Sequence, residues 1–83
     1  MTRPINVEGV ELSFASMTVT SNSSVVGKSI DHIEQKYQIS VVLLKSDGTQ
    51  RNYHPAASRT IAANDTLAVL GEASHISVLA QAL

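Results

Sequence analysis

With 83 residues the chain has room for one small domain, and a formal charge of −1 gives it no field that would gather nucleic acid or anionic lipid. Hydrophobic residues make up 43 % and charged residues 16 %, the balance of a folded domain, and the absence of cysteine excludes a disulfide framework and thiolate chemistry. The longest unbroken apolar run, residues 41–44, is far short of the roughly 20 residues that cross a bilayer, so direct membrane insertion is not expected.

Taken in order, residues 1–9 contain Pro4 and no sustained period, and they read as an N-terminal tail or linker ahead of a domain spanning residues 10–83. Val10, Leu12 and Phe14 alternate with polar residues. Met17 and Val19 continue on the opposite parity, a slip that a bulge near Ala15-Ser16 would explain. Ser21-Asn22-Ser23-Ser24 is a polar loop. The next helix has its cap at Lys28 or, better, Ser29, Asp31 in its first turn, a buried stripe of Ile30, Ile33 and Tyr37, and an outward face of His32, Glu34, Gln35 and Lys36.

Residues 38–55 are the centre of the pattern. They read as an apolar strand in which Ile39, Val41 and Leu43 face opposite to Val42 and Leu44, a tight type I′ turn at Asp47-Gly48, and a polar returning strand over residues 49–54 that stops at Pro55. Residues 55–64 lack a period but should bury Ile61, and Asn64-Asp65 makes a second turn. Residues 66–70 alternate as a strand, Gly71 ends it, and residues 72–83 carry Ile76, Leu79, Ala80 and Leu83 at helical spacing. The expected fold class is α+β: a small, mostly antiparallel sheet with two helices on one side, in the order β-α-β-β-β-α.

Val26-Gly27-Lys28-Ser29-Ile30 before a helix, Ile39 to Leu44 before a polar hairpin ending at Pro55, and Asn64-Asp65-Thr66-Leu67-Ala68-Val69-Leu70-Gly71 before a closing helix together resemble the RCK C-terminal domain family, also called TrkA-C. The likeness covers about residues 12–83. Asn64 stands where that family usually has Gly, and Lys45-Ser46 replaces its common Arg before the hairpin turn. The resemblance implies a cytoplasmic regulatory domain at the inner face of the membrane, part of a potassium or other ion channel or transporter. It implies a homodimer that senses a small effector such as cyclic di-AMP across its interface and couples it to gating, with a Rossmann domain often preceding it. A purely structural dimerisation module is the alternative. No Gly-x-Gly-x-x-Gly follows a strand here, so NAD or ATP binding is not expected of these residues.

For the effector, His54 and Pro55 occupy the strand end where the family places part of its pocket. Arg51 and Arg59 offer planar guanidinium forks for phosphate, Asn52 could read a base edge, and Ile39 and Val41 begin the apolar strand that lines the family's interface, a role compatible with core packing. His32, His54 and His75 are the only histidines, and Glu72 three residues before His75 is the one nearby ligand pair, read as a solvated helix face; no metal site is expected. The serine loop has no base beside it in sequence, and Asp47, Asp65 and Glu34 do not pair as acid and base. No catalytic residues are assigned, and an enzyme is not expected.

Overall fold

The computed structural model describes residues 4–48 and 50–83. Five strands, β1 (Ile5–Val7), β2 (Val10–Thr18), β3 (Ser40–Lys45), β4 (Arg51–Tyr53) and β5 (Thr66–Gly71), form one antiparallel sheet in the order β1-β2-β5-β3-β4. Two helices, α1 (Ile30–Tyr37) and α2 (Ala73–Gln81), cover one face of it. The α+β class and the one-sided helices match the sequence reading. Among the described residues no helix is long and apolar enough to cross a membrane.

The core lies between helices and sheet. Ile30, Ile33 and Tyr37 of α1 and Ile76 and Leu79 of α2 pack on Val41, Leu44, Leu67, Val69 and Val19. β5 is central, and its burial alternates strictly, with Leu67 and Val69 fully buried and Ala68 and Leu70 turned to the other face. α1 begins as expected at Ser29, whose extended backbone lets its Oγ accept the His32 N–H (3.1 Å), and ends at Gln38 in the left-handed region. Glu34 departs from the outward face assigned to it, because its carboxylate reaches β3 and accepts the Val41 N–H (2.9 Å). The serine loop closes the other helix: Ser23, buried, donates from Oγ to the carbonyl of Ala82 (2.8 Å) at the end of α2. Ala80, expected in the stripe of α2, is exposed.

Four further expectations are corrected. Ile5–Val7, assigned to a tail, forms β1: Val7 and Val10 pair across Glu8 (φ 50°) and Gly9 (φ 85°), a two-residue turn with both central residues left-handed, as type I′ requires. The bulge placed near Ala15-Ser16 is absent, since β2 pairs with β5 without interruption from Ser13 to Thr18. The parity slip instead marks a change of face: Ser13, Ala15, Met17 and Val19 look to the helices, whereas Val10, Leu12 and Phe14 sit on the helix-free side. The sheet's irregularity falls on β3 at Val42, which puts Val41 and Leu44 together in the core and leaves Val42 and Leu43 half-buried. Finally, Lys45 pairs with Arg51, so residues 46–50 form a five-residue connection; Gly48 is left-handed there and Asp47 is not, which rules out a two-residue type I′ turn. Thr49 lies outside the described residues.

Gly71 ends β5 where strand and α1–β3 connection meet closely. A Cβ there would lie 2.7 Å from Cγ2 of Ile39, a β-branched side chain that is itself buried. Gly71→Ala should therefore destabilise the domain by about 1–3 kcal/mol in urea unfolding, and Ile39→Ala in the same chain should recover part of that loss. An additive double variant would show that the two residues do not compete for space.

Candidate functional site

The residues singled out from sequence gather at the edge of the sheet formed by β4 and the segment after it. β4 pairs with β3 through Leu43↔Tyr53, Leu44↔Asn52 and Lys45↔Arg51, and all three of its residues are exposed. Because paired residues share a face, Tyr53 and Arg51 lie with Leu43 and Lys45 on the helix-free side, and Asn52 lies with Leu44 on the other. His54 extends the pairing by one bond, its N–H donating to the Val42 carbonyl (3.0 Å), while its own backbone turns left-handed (φ 53°). Pro55 follows, buried, with no N–H to continue the ladder.

What holds this edge in place is a lace of backbone bonds to the start of α1. Ile30 N–H donates to Arg59 O (2.9 Å), Asp31 N–H to Ala57 O (2.9 Å), Ile61 N–H to Lys28 O (2.9 Å) and Gly27 N–H to Ile61 O (2.8 Å). Residues 55–61 are thus fixed without regular structure of their own. Ile61 is buried as expected. Arg59 is half-buried and donates from Nη2 to Ser46 Oγ (2.7 Å), tying this segment to the far end of β3.

Arg51, Asn52 and His54 are therefore presented to solvent along one edge, with Arg59 behind the hairpin. Ile39 and Val41 are not: both are buried, at 7 % and 3 % exposure, with Val41 bonded to Glu34, so they shape the base of the sheet rather than its surface.

Two neighbours of the site were missed in sequence. Lys45 stands directly opposite Arg51, two like charges on one face of adjacent strands, an arrangement that costs stability unless an anion sits between or over them. Of the six lysines and arginines in the chain, Lys45, Arg51 and Arg59 are at this hairpin. Tyr53, 70 % exposed, adds a free aromatic face on the same side. The alternation of β4 about Tyr53 was the signal for the second; the first needed the register, which the turn assigned at Asp47-Gly48 had obscured.

A cleft of about 470 Å³ opens elsewhere, between the end of α1 and the ends of β3 and β5, lined by Leu12, Glu34, Gln38, Ser40, Leu70 and Glu72. It contains two carboxylates and no cationic residue, so a phosphate has no reason to enter it. Beside it His75, at the start of α2, places Nδ1 3.3 Å from Gln38 O and 3.7 Å from Glu72 Oε2. Among the described residues no three His, Cys, Asp or Glu side chains come together as a metal site would need.

The model of the TrkA-C domain family matches residues 14–83. No curated protein matches the sequence. Among solved structures, the RCK C domain of the potassium transport protein KtrA in complex with cyclic diadenosine monophosphate is similar at a TM-score of 0.73 and 19 % identity, over 87 % of this chain and 84 % of that one. The RCK C domain dimer of S. agalactiae BusR, also in complex with cyclic di-AMP, gives a TM-score of 0.74 and 18 % identity, over 86 % of this chain and 89 % of that one. The GsuK RCK domain gives 0.69 and 15 %, with this chain covering only 16 % of it. BusR also has a solved complex with its busAB-promotor DNA. At these identities the likeness is one of fold.

If the Lys45–Arg51 pair is repulsive, Arg51→Glu should raise stability by about 0.2–1 kcal/mol in urea unfolding at low salt, and the gain should shrink at about 1 M salt, where the screening length falls to about 3 Å. A loss of stability at low salt would contradict the repulsion.

Proposed function

Because the chain belongs to the TrkA-C domain family, the RCK C-terminal domains, we propose that it is a ligand-sensing regulatory domain of a potassium or other ion channel or transporter. It pairs with a second copy and binds a phosphate-bearing effector of the cyclic di-AMP class at the seam. The observation that carries this reading is the directly opposed Lys45 and Arg51 on the helix-free face, with exposed Tyr53 between that pair and His54. Each copy offers a pair of cations to one phosphate and an aromatic or imidazole face to one base. A cyclic dinucleotide has two phosphates and two bases related by a two-fold axis, which suits two such edges facing each other. Arg51 and His54 make the polar contacts, Asn52 stands on the opposite face of β4 outside them, Pro55 fixes the strand end, Arg59 backs the hairpin, and Ile39 and Val41 support the strand from beneath.

The effector then acts by differential affinity. A ligand held by both copies binds the paired arrangement better than the open one, and a difference of about 1–3 kcal/mol biases an attached gate usefully. Such a domain works on the cytoplasmic side of its membrane protein, with a Rossmann domain as a natural neighbour in the parent chain. DNA is the other output consistent with the relatives, since BusR is one that binds promotor DNA. A purely structural pairing module is the second reading, favoured by the burial of Ile39 and Val41 and by the engagement of Arg59 with Ser46.

A thermal-shift series decides between them, using cyclic di-AMP, mononucleotides, divalent cations and small anions. Ligand at about 100 times its Kd adds roughly 2.7 kcal/mol to the folded state, so cyclic di-AMP should raise Tm by several degrees. Lys45→Ala, Arg51→Ala and His54→Ala should each reduce that shift, while Lys36→Ala on α1 leaves it unchanged. A Tm that no ligand moves would support the structural reading.

A further inference from the structure

The registers of four strands line up one row of side chains across the helix-free face. Arg51 of β4 stands opposite Lys45 of β3, Lys45 opposite Thr66 of β5, and Thr66 opposite Thr18 of β2. The irregularity of β3 lies between Val41 and Leu43, so the row falls beyond it and is unbroken. Directly opposed residues on one face have Cβ atoms about 4.5–5.5 Å apart. Arg51 and Thr66 therefore flank Lys45 on either side, and Thr18 lies one strand further off. Thr66 is half-buried and the other three are exposed. Two features fit this row to an anion. Glu11 is the only acid in the five strands, and it pairs with Asn6 on the other side of the sheet, whereas both strand cations, Lys45 and Arg51, are on the helix-free side. The donors are also uncommitted: among the described residues neither cation is ion-paired, with Asp47 in the following loop or with any other acid, and the Thr66 hydroxyl has no hydrogen-bond partner.

We propose that Thr66 is a ligand-contacting residue of this face: its hydroxyl donates to the phosphate group whose charge Lys45 and Arg51 neutralise, and that phosphate sits over Lys45, where β4, β3 and β5 meet. The proposal rests on the anion reading of the hairpin given above and moves the ligand inward from the β4 edge on to the sheet. A group over Lys45 is reached by the guanidinium of Arg51 from one side and by the hydroxyl of Thr66 from the other. The two cations supply charge, and the hydroxyl supplies a directional donor that a phosphate oxygen accepts. The next row on the same face, Tyr53, Leu43 and Ala68, then lies beside the phosphate as an apolar floor for an attached base.

The test is isothermal titration calorimetry of the full chain with cyclic di-AMP and with inorganic pyrophosphate, which offers phosphate without a base. Thr66→Val removes the hydroxyl and keeps a β-branched residue in the strand, and Thr66→Ser keeps the hydroxyl. Thr66→Val should weaken binding on the order of tenfold. Thr66→Ser should recover most of that loss, and Thr18→Val, one strand away in the same row, should bind as the native chain does. Thr66→Ala repeats the measurement should Thr66→Val change the circular dichroism spectrum. Native affinity retained in Thr66→Val while Lys45→Ala and Arg51→Ala lose it would overturn the role of Thr66 and leave the proposed function standing. An equal loss in Thr18→Val would overturn the placement over Lys45. Pyrophosphate bound with the Thr66 dependence, and cyclic di-AMP not bound, would support the contact and remove the cyclic dinucleotide from the proposed function. A native chain that binds neither would overturn both.

Discussion

The constraint on which this structure depends is that two short helices can cover only one side of a five-stranded sheet. The single core is made where α1 and α2 meet β2, β3 and β5, and the alternation of β5 shows the division plainly: Leu67 and Val69 inward, Ala68 and Leu70 outward. Among the described residues no helix or strand covers the outward side. A small domain already buries a modest share of its surface, so a sheet face studded with Val10, Phe14 and Tyr53 leaves further apolar area for burial by association.

The two edges of that sheet are finished differently, and this separates their roles. β4 is polar, short and stopped by Pro55, the usual defence of an edge against further strand pairing. The segment after it is held by the bonds from residues 57–61 to the start of α1, and the β3–β4 register sets Lys45 opposite Arg51. β1, by contrast, is an apolar ribbon anchored on one side only. Charge at one edge and apolar surface at the other make a face able to hold an anionic ligand and a protein partner together.

Much of this was legible in the sequence because the relevant signals are local. Ser29 announces the helix start, Ile30, Ile33 and Tyr37 give its buried stripe, and Asn64 supplies the left-handed turn before β5 (φ 70°). Each depends on residues within a turn or two. The misses have the opposite character. β1 is three residues long, too short to show a period, and its turn uses Glu8, an unusual residue for a left-handed position. Its signal was Ile5, Val7, Val10 and Leu12 in register about Glu8-Gly9. The parity change in β2 looked like a bulge because sequence gives alternation without saying which face is covered. The bulge at Val42 arises where β3 serves two neighbours of different register, and the pairing of Lys45 with Arg51 follows from the loop length. Neither is written in composition or periodicity. For Ile39 and Val41 the apolar pattern pointed to core packing and the resemblance added a ligand role, and both are buried.

The most direct test of the account is an isotope-filtered NOE measurement on a mixed sample of labelled and unlabelled chains. The account predicts contacts between copies from the Phe14 and Tyr53 rings and the methyl groups of Val10, Leu12 and Leu70, with none from the outer faces of α1 and α2. Contacts between copies arising from the helices, with the helix-free sheet face silent, would contradict it.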